Sequence, residues 1–416
     1  MSETLPFGAL ADLKIIDLTQ MLAGPYGTMM LADHGAEVIK IESPEGDMSR
    51  WAGGSGIEGD RKLSGYFQSI GRNKDSVVLD LKTEGGIRAF KALVRNADAV
   101  VENFRAGVMD RLGIGWDVLR QINPKLVYGT LRGFGDPHTA PSPYQNWPAF
   151  DVVAQAMGGI MAITGPDSRT PTKVGPGVGD IIPGMMLGFG LLAALHHARR
   201  TGEGQLVDIA MADAVLAVCE RVVWQHSIGG VVPGPEGNHH PFLCPFGMYP
   251  TSDGFVTLAA HIDGFFVTMC DALDVPELAL DPDYAHQGAR SANRLRLIER
   301  IGDITRHFTK AELMARLGGH MPFGPVMDIA EIERDPHFIA REMIVPVVEP
   351  GHPPLNIAGV PVKMTATPGG VRRRAPFLGE QTRLRLLEAG LTDAEVDDLI
   401  ARREAASFDT NERISE

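Results

Sequence analysis

Short apolar runs rich in β-branched residues alternate with helical stretches along the first half of the chain. Such runs, separated by helices, predict buried parallel strands in a doubly wound α/β sheet. The predicted strands are Leu13–Leu18, Glu37–Ile41, Ser76–Leu81, Ala97–Val101, Lys125–Leu131 and Gln205–Ile209. The predicted helices are Tyr26–His34, Glu84–Arg95, a stretch ending near Gln121, Asp151–Ile163, Ile181–Arg199 and Ala212–Ile228.

The composition changes at Gly229–Pro245, which is rich in glycine and proline and predicts a hinge between domains. Beyond it the pattern indicates a smaller α+β unit. Its predicted strands lie near Phe246–Tyr249 and Phe255–Ala260, and its predicted helices near Phe265–Leu273 and Asn293–Phe308. Further on, the pattern predicts strands at Ile344–Val348 and Gly359–Met364 and helices at Glu380–Glu388 and Asp393–Ala401.

Composition and charge narrow the function classes. The 416 residues include 39 Lys and Arg against 52 Asp and Glu, a formal net charge of −13. Such a surface repels phosphate backbones, so we expect no nucleic-acid partner. The three cysteines form no metal-binding spacing and favour a reducing, cytoplasmic location. The most apolar stretch, Ile181–Leu195, is too short to cross a bilayer, so we expect no membrane partner.

Cationic residues follow several of the predicted strands. In an open α/β sheet, ligands bind outside the carboxyl ends of the strands. Lys82 follows the third strand, Arg105 the fourth and Arg132 the fifth, with Arg111 in the next helix. In so acidic a chain this set predicts an anion site, plausibly for phosphates, although each residue alone could be a solvated surface group. No GxGxxG or Walker loop is present, which argues against a standard dinucleotide or nucleoside triphosphate site.

Asp180 ends the glycine-rich segment Gly175–Asp180, directly before an apolar helix. We expect it at the N-cap, where backbone N–H groups and the helix dipole stabilise a carboxylate. It could be a plain capping residue. The flanking glycines are more than a cap requires, however, and would let a ligand come close to the carboxylate.

Two histidine pairs give weaker signals. His196 and His197 are adjacent on a predicted helix, so they do not share a face and make a poor metal site. His239 and His240 lie in a loop, where a role in the turn is favoured over a role in binding. No HExxH and no GxSxG motif is present, and we expect no metal.

Taken together, these segments resemble the family III CoA-transferases, the group of formyl-CoA and carnitine CoA-transferases. The resemblance covers almost the whole chain. It rests on DLTQMLAGPYGTMMLADHGAEVIKIE, LDLKTEGG, VENFRAGVMDRLG, FDVVAQAMGGIMAITG, GDIIPGMMLGFGLLAAL, TGEGQLVDIAMADAVL, GNHHP and RAPFLGEQT.

The resemblance implies a fold and an assembly. A large Rossmann-like, CoA-binding domain would be formed by residues 1–228 and 331–416, and a small α+β domain by residues 229–330. Two chains would interlock like linked rings in a homodimer. Coenzyme A and acyl-CoA would enter as substrates, with no permanently bound cofactor.

The resemblance also implies site residues. Asp180 would be the nucleophile, attacking an acyl-CoA and carrying CoA as an aspartyl thioester. Gly237, Asn238 and His239 would form the substrate loop. The implied CoA contacts are Leu22, Ala23, Leu79 to Lys82, Asn103, Phe104, Arg105, Arg111 and Phe150.

Two other functions are compatible with the same motifs. An α-methylacyl-CoA racemase of this fold would use a histidine where this chain has Phe150, so racemisation would lack one proton carrier. A non-catalytic CoA-binding protein would not need Asp180 with its glycines. We therefore predict a CoA-transferase acting on a small or dicarboxylic acyl-CoA, such as succinyl-CoA, and a carboxylic acid acceptor.

Overall fold

The computed structural model describes residues 8–52, 63–348 and 354–408. Within them the chain forms two compact units. The first comprises Met1–Ile160, Val174–Ile228 and His337–Glu416, and the second Met161–Lys173 and Gly229–Pro336.

The first part of unit one alternates strand and helix, as the hydrophobic pattern predicts. Its strands are β1 (Lys14–Asp17), β2 (Glu37–Glu42), β3 (Asp75–Leu79), β4 (Ala99–Glu102), β5 (Val127–Arg132) and β6 (Leu206–Ala210). Its helices are α1 (Ala23–Asp33), α2 (Gly65–Gly71), α3 (Glu84–Val94), α4 (Val108–Arg111), α5 (Trp116–Ile122), α6 (Asp151–Met157), α7 (Val178–Thr201), α8 (Met211–Val218) and α9 (Glu220–Gly229).

Unit two is built on a three-stranded antiparallel sheet, β7 (Phe246–Thr251), β8 (Gly254–Ala259) and β9 (Phe323–Pro325). Its helices are α10 (Asp263–Ala272), α11 (Glu277–Leu280), α12 (Gln287–Ala292), α13 (Arg294–Thr305), α14 (Lys310–Leu317) and α15 (Ile329–Ile332). Tyr249, Val256 and Leu258 of the sheet share a core with Phe266 of α10 and Leu297 of α13.

The remaining elements are α16 (Pro336–Ala340), the antiparallel pair β10 (Ile344–Val347) and β11 (Leu355–Ala358), α17 (Thr382–Glu388), α18 (Asp393–Ala401) and β12 (Ala405–Ala406). The prediction of a strand at Gly359–Met364 is wrong, because the pairing with β10 ends at Ala358. Pro361 interrupts that run, and proline cannot donate to a strand ladder.

The main sheet has seven strands in the order β12-β3-β2-β1-β4-β5-β6. Strands β1 to β6 are parallel, and only the edge strand β12 runs antiparallel, against β3. Ile15 packs into the core that α1 and α7 cover, whereas Ile16 packs into the core on the opposite face with α3 and α18. Helices therefore cover both faces, and the predicted α/β class is confirmed.

Helix α7 is longer than the pattern predicts, with 24 residues. By length and composition alone it could cross a membrane, and it is the one such helix in the described part of the chain. However, Leu187, Leu191 and Leu195 are buried along one stripe of it, in the core on one face of the sheet. Helices in a protein core can be equally long and apolar, so the length and composition of α7 are weak evidence for a membrane span.

Candidate active site

The strand order reverses between β1 and β4, since β2 and β3 lie to one side of β1 and β5 and β6 beyond β4. Ligands of open α/β sheets bind at such a switch point, outside the carboxyl ends of the strands. Here the loops after β1 and β4 are joined by one side chain. Asn103 Oδ1 accepts the Gln20 N–H over 2.8 Å, and Asn103 Nδ2 donates to the Gln20 carbonyl over 2.9 Å.

The loop after β1 is held in an unusual conformation. Met21 has φ of 65°, in the left-handed region that non-glycine residues rarely occupy. Its N–H donates to Asp47 Oδ1 over 3.2 Å, and Asp47 is ion-paired with buried Lys40. Burial opposes ionisation of Asp47, but the charge of Lys40 outweighs it and lowers the pKa of that carboxyl. This buried pair fixes Leu22 and Ala23 at the start of α1.

Helix α7 begins at Val178 with Gly177 as its N-cap, so Asp180 is the third helical residue. The N-cap position predicted for Asp180 is therefore wrong. The Gly177 carbonyl accepts the N–H groups of both Asp180 and Ile181, which starts the helix three residues earlier. Because Asp180 is not the N-cap residue, the simple capping role is wrong as well.

The side chain that accepts a hydrogen bond from the first turn of α7 belongs to another helix. Asp151, the first residue of α6, accepts the Gly179 N–H at Oδ1 over 2.8 Å. A Cβ on Gly179 would lie 2.5 Å from the Asp151 carbonyl oxygen. That glycine therefore allows α6 and α7 to touch, which is a different role from the ligand approach predicted for it.

A cavity of about 360 Å³ opens at this switch point, lined entirely by unit one. It brings together seven of the predicted site residues: Leu22, Ala23, Asn103, Phe104, Arg105, Phe150 and Asp180. Phe150 is 67% exposed, and Arg105 is exposed as well. Asp180, the nucleophile that the family resemblance implies, thus shares one cavity with residues that follow β1 and β4.

Other predicted residues lie outside this cavity lining. Leu79 is 1% exposed within β3, so its side chain belongs to the core. Lys82 is exposed after β3, and the exposed Arg111 side chain lies beside Gly107, next to the cavity residue Ala106. Gly237, Asn238 and His239 belong to unit two.

Arg132 lines the cavity but is not the free cation that the strand-end pattern suggests. It is buried, ion-paired with Glu102 and Asp136, and its Nε donates to the Phe104 carbonyl over 3.0 Å. Its charge is therefore neutralised within the protein, and its contact with Phe104 supports the loop after β4.

The structure adds cavity residues that sequence reasoning missed, among them Gln20, Met48, Tyr66, Gln145 and Trp147. Tyr66 follows the N-cap Ser64 of α2, a cap that the sequence could have revealed. Burial, with the charges of Asp180 and Asp47, raises the pKa of Tyr66 to about 12. Its hydroxyl is therefore protonated at neutral pH and can donate a hydrogen bond.

The electrostatics of Asp180 differ from the expectation that the helix start keeps it strongly ionised. Burial, and secondly the charge of Asp151, raise the pKa of Asp180 to about 6. The carboxylate is thus ionised at neutral pH yet more basic than an ordinary aspartate. Among the described residues, no group of three or more His, Cys, Asp or Glu side chains could hold a metal ion.

A second cavity of about 360 Å³ lies next to the first and shares Leu22 and Tyr66 with it. Ile181, the neighbour of Asp180 on α7, lines this second cavity, as do Tyr26 and Met185. Leu22 and Tyr66 therefore stand between the two spaces, with the start of α7 bordering both.

Comparisons with known proteins agree with this geometry. The family model for CoA-transferase family III matches residues 10–382. The chain is 48% identical, over 92% of its length and 97% of the relative's, to succinyl-CoA:mesaconate CoA-transferase of Haloarcula hispanica. It is 36% identical, over 97% of its length and 100% of the relative's, to succinyl-CoA–D-citramalate CoA-transferase of Chloroflexus aurantiacus.

A solved structure shares the fold. The crystal structure of a CAIB/BAIF family protein from Brucella suis has 34% identity and a TM-score of 0.82, covering 92% of this chain and 100% of that one. The chain therefore belongs to the family III CoA-transferases, as the sequence motifs indicate. It is a CoA-transferase that uses CoA thioesters as substrates, and the predicted enzyme class is confirmed.

Proposed function

We propose that this enzyme moves CoA from succinyl-CoA to a small carboxylic acid, with an unsaturated or branched dicarboxylate as the acceptor. The relatives named above act on succinyl-CoA with mesaconate or D-citramalate. The observation that carries the chemistry is the placement of the half-buried Asp180, which lines the cavity at the sheet's switch point together with Leu22 and Tyr66.

In the proposed first half-reaction, an oxygen of the Asp180 carboxylate attacks the thioester carbonyl of succinyl-CoA. The C–S bond breaks, giving a mixed anhydride and the CoA thiolate. The thiolate then attacks the Asp180 acyl carbon of the anhydride. This forms an aspartyl-CoA thioester and releases succinate, so each step exchanges one acyl bond for another.

In the second half-reaction, the acceptor carboxylate attacks the aspartyl thioester and displaces the CoA thiolate. The thiolate attacks the acceptor's acyl carbon in the new anhydride, which forms the product thioester and restores the Asp180 carboxylate. The N–H groups in the first turn of α7 already have acceptors. The start of α1 also reaches the cavity, so the N-terminus of α1 would stabilise the developing oxyanions.

The CoA-binding part of the proposal uses the strand-end residues. Leu22, Ala23, Asn103, Phe104 and Phe150 line the cavity and would hold the pantetheine arm near Asp180. Arg105, Arg111 and Lys82 are exposed cations that would meet the nucleotide phosphates. Leu79 would support this site from within the sheet, since its side chain is buried.

The remaining assignments are also proposals. We propose that Gly237, Asn238 and His239 contact the substrate, that unit two is the small domain, and that the enzyme is cytoplasmic. Burial lowers the pKa of His239, which favours a neutral ring beside the substrate anion at neutral pH.

We further propose an interlocked homodimer. Helix α9 has no buried residue although it carries Val223, Trp224 and Ile228, and Ile228 is 82% exposed. Phe189 on α7 is 77% exposed. Large apolar surfaces of this kind mark protein interfaces, and a second chain would cover them. Sedimentation analysis should show a dimer at every practical dilution, and a stable folded monomer would contradict the interlocked arrangement.

The covalent mechanism is tested with the intact enzyme and succinyl-CoA. Mass spectrometry after proteolysis should find CoA attached to Asp180, and hydroxylamine should cleave the adduct and inactivate the enzyme. Asp180→Asn should bind CoA but form no adduct. An adduct on Asp151, or turnover without any adduct, would refute the mechanism. Exchange of the α-proton with deuterium oxide would instead support a racemase.

The acceptor is identified by a panel of acids. The enzyme is incubated with succinyl-CoA and each of several carboxylic acids, and new CoA thioesters are detected by mass spectrometry. Mesaconate and citramalate are expected among the best acceptors. Transfer only to monocarboxylic acids would contradict the dicarboxylate assignment, and no transfer to any acid would support a non-catalytic CoA-binding protein.

A further inference from the structure

Helices α6 and α7 begin side by side, and the contact between them involves the residue before Asp180. The Gly179 N–H donates to Asp151 Oδ1 over 2.8 Å. A Cβ at position 179 would lie 2.5 Å from the Asp151 carbonyl and 3.0 Å from Asp151 Oδ1. The two backbones are therefore as close as glycine allows, and Asp151 accepts a hydrogen bond in the turn that carries Asp180.

Asp151 is itself held by a buried amide one turn along α6. Gln155 Nε2 donates to both carboxylate oxygens of Asp151 over 2.9 Å, and Gln155 is fully buried. The other end of the amide, Oε1, accepts the Val174 N–H over 2.9 Å. Since the Val174 N–H can only donate, this hydrogen bond fixes the orientation of the Gln155 amide. Hydrogen bonds thus run from Val174 through Gln155 and Asp151 to Gly179. The Asp151 carboxylate accepts from the Gln155 amide and from the Gly179 N–H.

This arrangement has consequences for the neighbouring carboxylate. Asp151 uses the N–H at the second position of α7, so that group cannot stabilise Asp180. The charge of Asp151 also disfavours ionisation of Asp180 and is the second cause, after burial, of the raised pKa of Asp180. The ionised Asp180 carboxylate is therefore more basic than an ordinary aspartate. The other groups that can titrate or carry charge around this cavity are Tyr66, Arg105 and Arg132.

We propose that Asp151, oriented by Gln155, is a positioning residue that occupies the α7 N–H at Gly179 and keeps the Asp180 carboxylate basic and available for attack. The inference rests on the proposed role of Asp180 as nucleophile. A carboxylate is a weak nucleophile toward a thioester, because it must displace a far more basic thiolate. Greater basicity increases nucleophilic reactivity, so a carboxylate kept basic by its neighbour reacts faster once ionised.

The test measures aspartyl-CoA formation from succinyl-CoA as a function of pH in single-turnover experiments. Asp151→Asn keeps the size and an acceptor for Gly179 but removes the charge. The acid limb of its pH profile should move to lower pH. Its plateau rate should fall by about threefold for each unit of pKa lost, on a Brønsted slope of about 0.5. A purely structural role for Asp151 would lower the rate without moving the acid limb.

A second variant and a control complete the design. Gln155→Leu removes the donor that holds Asp151 and should move the acid limb in the same direction, even if Asp151→Asn folds poorly. Asp213→Asn removes an exposed carboxylate from the first turn of α8 and should leave the profile unchanged. An unshifted acid limb in both test variants would overturn the positioning role. If the wild-type enzyme formed no adduct at any pH, the proposed function itself would fail instead.

Discussion

Asn103 and the backbone of Gln20 exchange two hydrogen bonds, of 2.8 and 2.9 Å, across the point where the strand order of the main sheet reverses. One side chain thus joins the loop after β1 to the loop after β4. Both loops line the cavity that contains Asp180. The geometry of the CoA site therefore depends on a contact between segments that are more than eighty residues apart in the chain.

Asn103→Ala should separate these two loops. We expect the free energy of unfolding to fall by about 1–3 kcal/mol, because two net hydrogen bonds are lost. CoA affinity, measured by calorimetry, should fall as well. Asn123→Ala is the matched control, since Asn123 donates to the Val94 and Ala97 carbonyls at the opposite end of the strands. Asn123→Ala should lower the free energy of unfolding by a similar amount and leave CoA affinity unchanged. An equal loss of CoA affinity in both variants would contradict the specific role of Asn103.

The exposed arginines after β4 should control binding of the CoA phosphates. Arg111→Ala is expected to weaken CoA binding by about 1.5–3 kcal/mol, the range for hydrogen bonds to charged groups. Raised salt should weaken binding by wild type more than by the variant. Arg120→Ala is the control, because Arg120 is also exposed on the next helix, where it pairs with Asp117 and lies over the Trp116 ring. Unchanged CoA affinity in Arg111→Ala would exclude that residue from the site.

The sequence was sufficient to predict the six parallel strands and most of the helices between them, though not α2. This was possible because β1 to β5 are short, largely apolar runs that are almost entirely buried. It also identified Asp180 and most of the cavity residues after β1 and β4. It could not locate Tyr66 or Trp147, since neither follows a strand of the sheet directly. Long-range packing brings them to the cavity, and no local pattern encodes that contact.

Two errors show where local reasoning fails. Asp180 is a residue type common at helix N-caps and follows a glycine-rich segment, yet the Gly177 carbonyl three residues earlier starts the helix. Asp151 accepts a hydrogen bond from the first turn of that helix. Arg132 follows a strand like the other cations, but it is neutralised by Asp136, four residues later, and by Glu102. Glu102 is recognised as a partner only when β4 and β5 are paired. In both cases a partner distant in the chain decides the role of the residue.

Tyr66 should stabilise the charge that develops during transfer. Its hydroxyl lines the same cavity as Asp180 and is a protonated donor at neutral pH. Tyr66→Phe should lower kcat by about 100- to 1,000-fold, a loss expected when one oxyanion donor is removed, while CoA affinity stays the same. Tyr26→Phe is the control, because Tyr26 lines only the second cavity. A change in KM alone, with kcat unchanged, would show that Tyr66 contributes only to substrate binding.

Asp180 should reduce the stability of the enzyme at neutral pH. Its folded pKa of about 6 lies above its ordinary value of 3.8, because burial and Asp151 disfavour its charge. The folded state therefore holds this proton more tightly than the unfolded state does. That contribution to stability is fully present below pH 3.8 and is lost as the pH rises through about 6.

Asp180→Asn removes the charge without changing the size of the side chain. We expect the variant to be more stable than wild type at pH 8 by up to about 2–3 kcal/mol, since one pKa unit corresponds to about 1.4 kcal/mol. The difference should disappear near pH 4, and denaturant unfolding at both pH values measures it. Asp213→Asn, at an exposed position, should show no such dependence. A variant that is less stable than wild type at pH 8 would mean that contacts of the Asp180 carboxylate outweigh its cost of burial, and would contradict the raised pKa of Asp180.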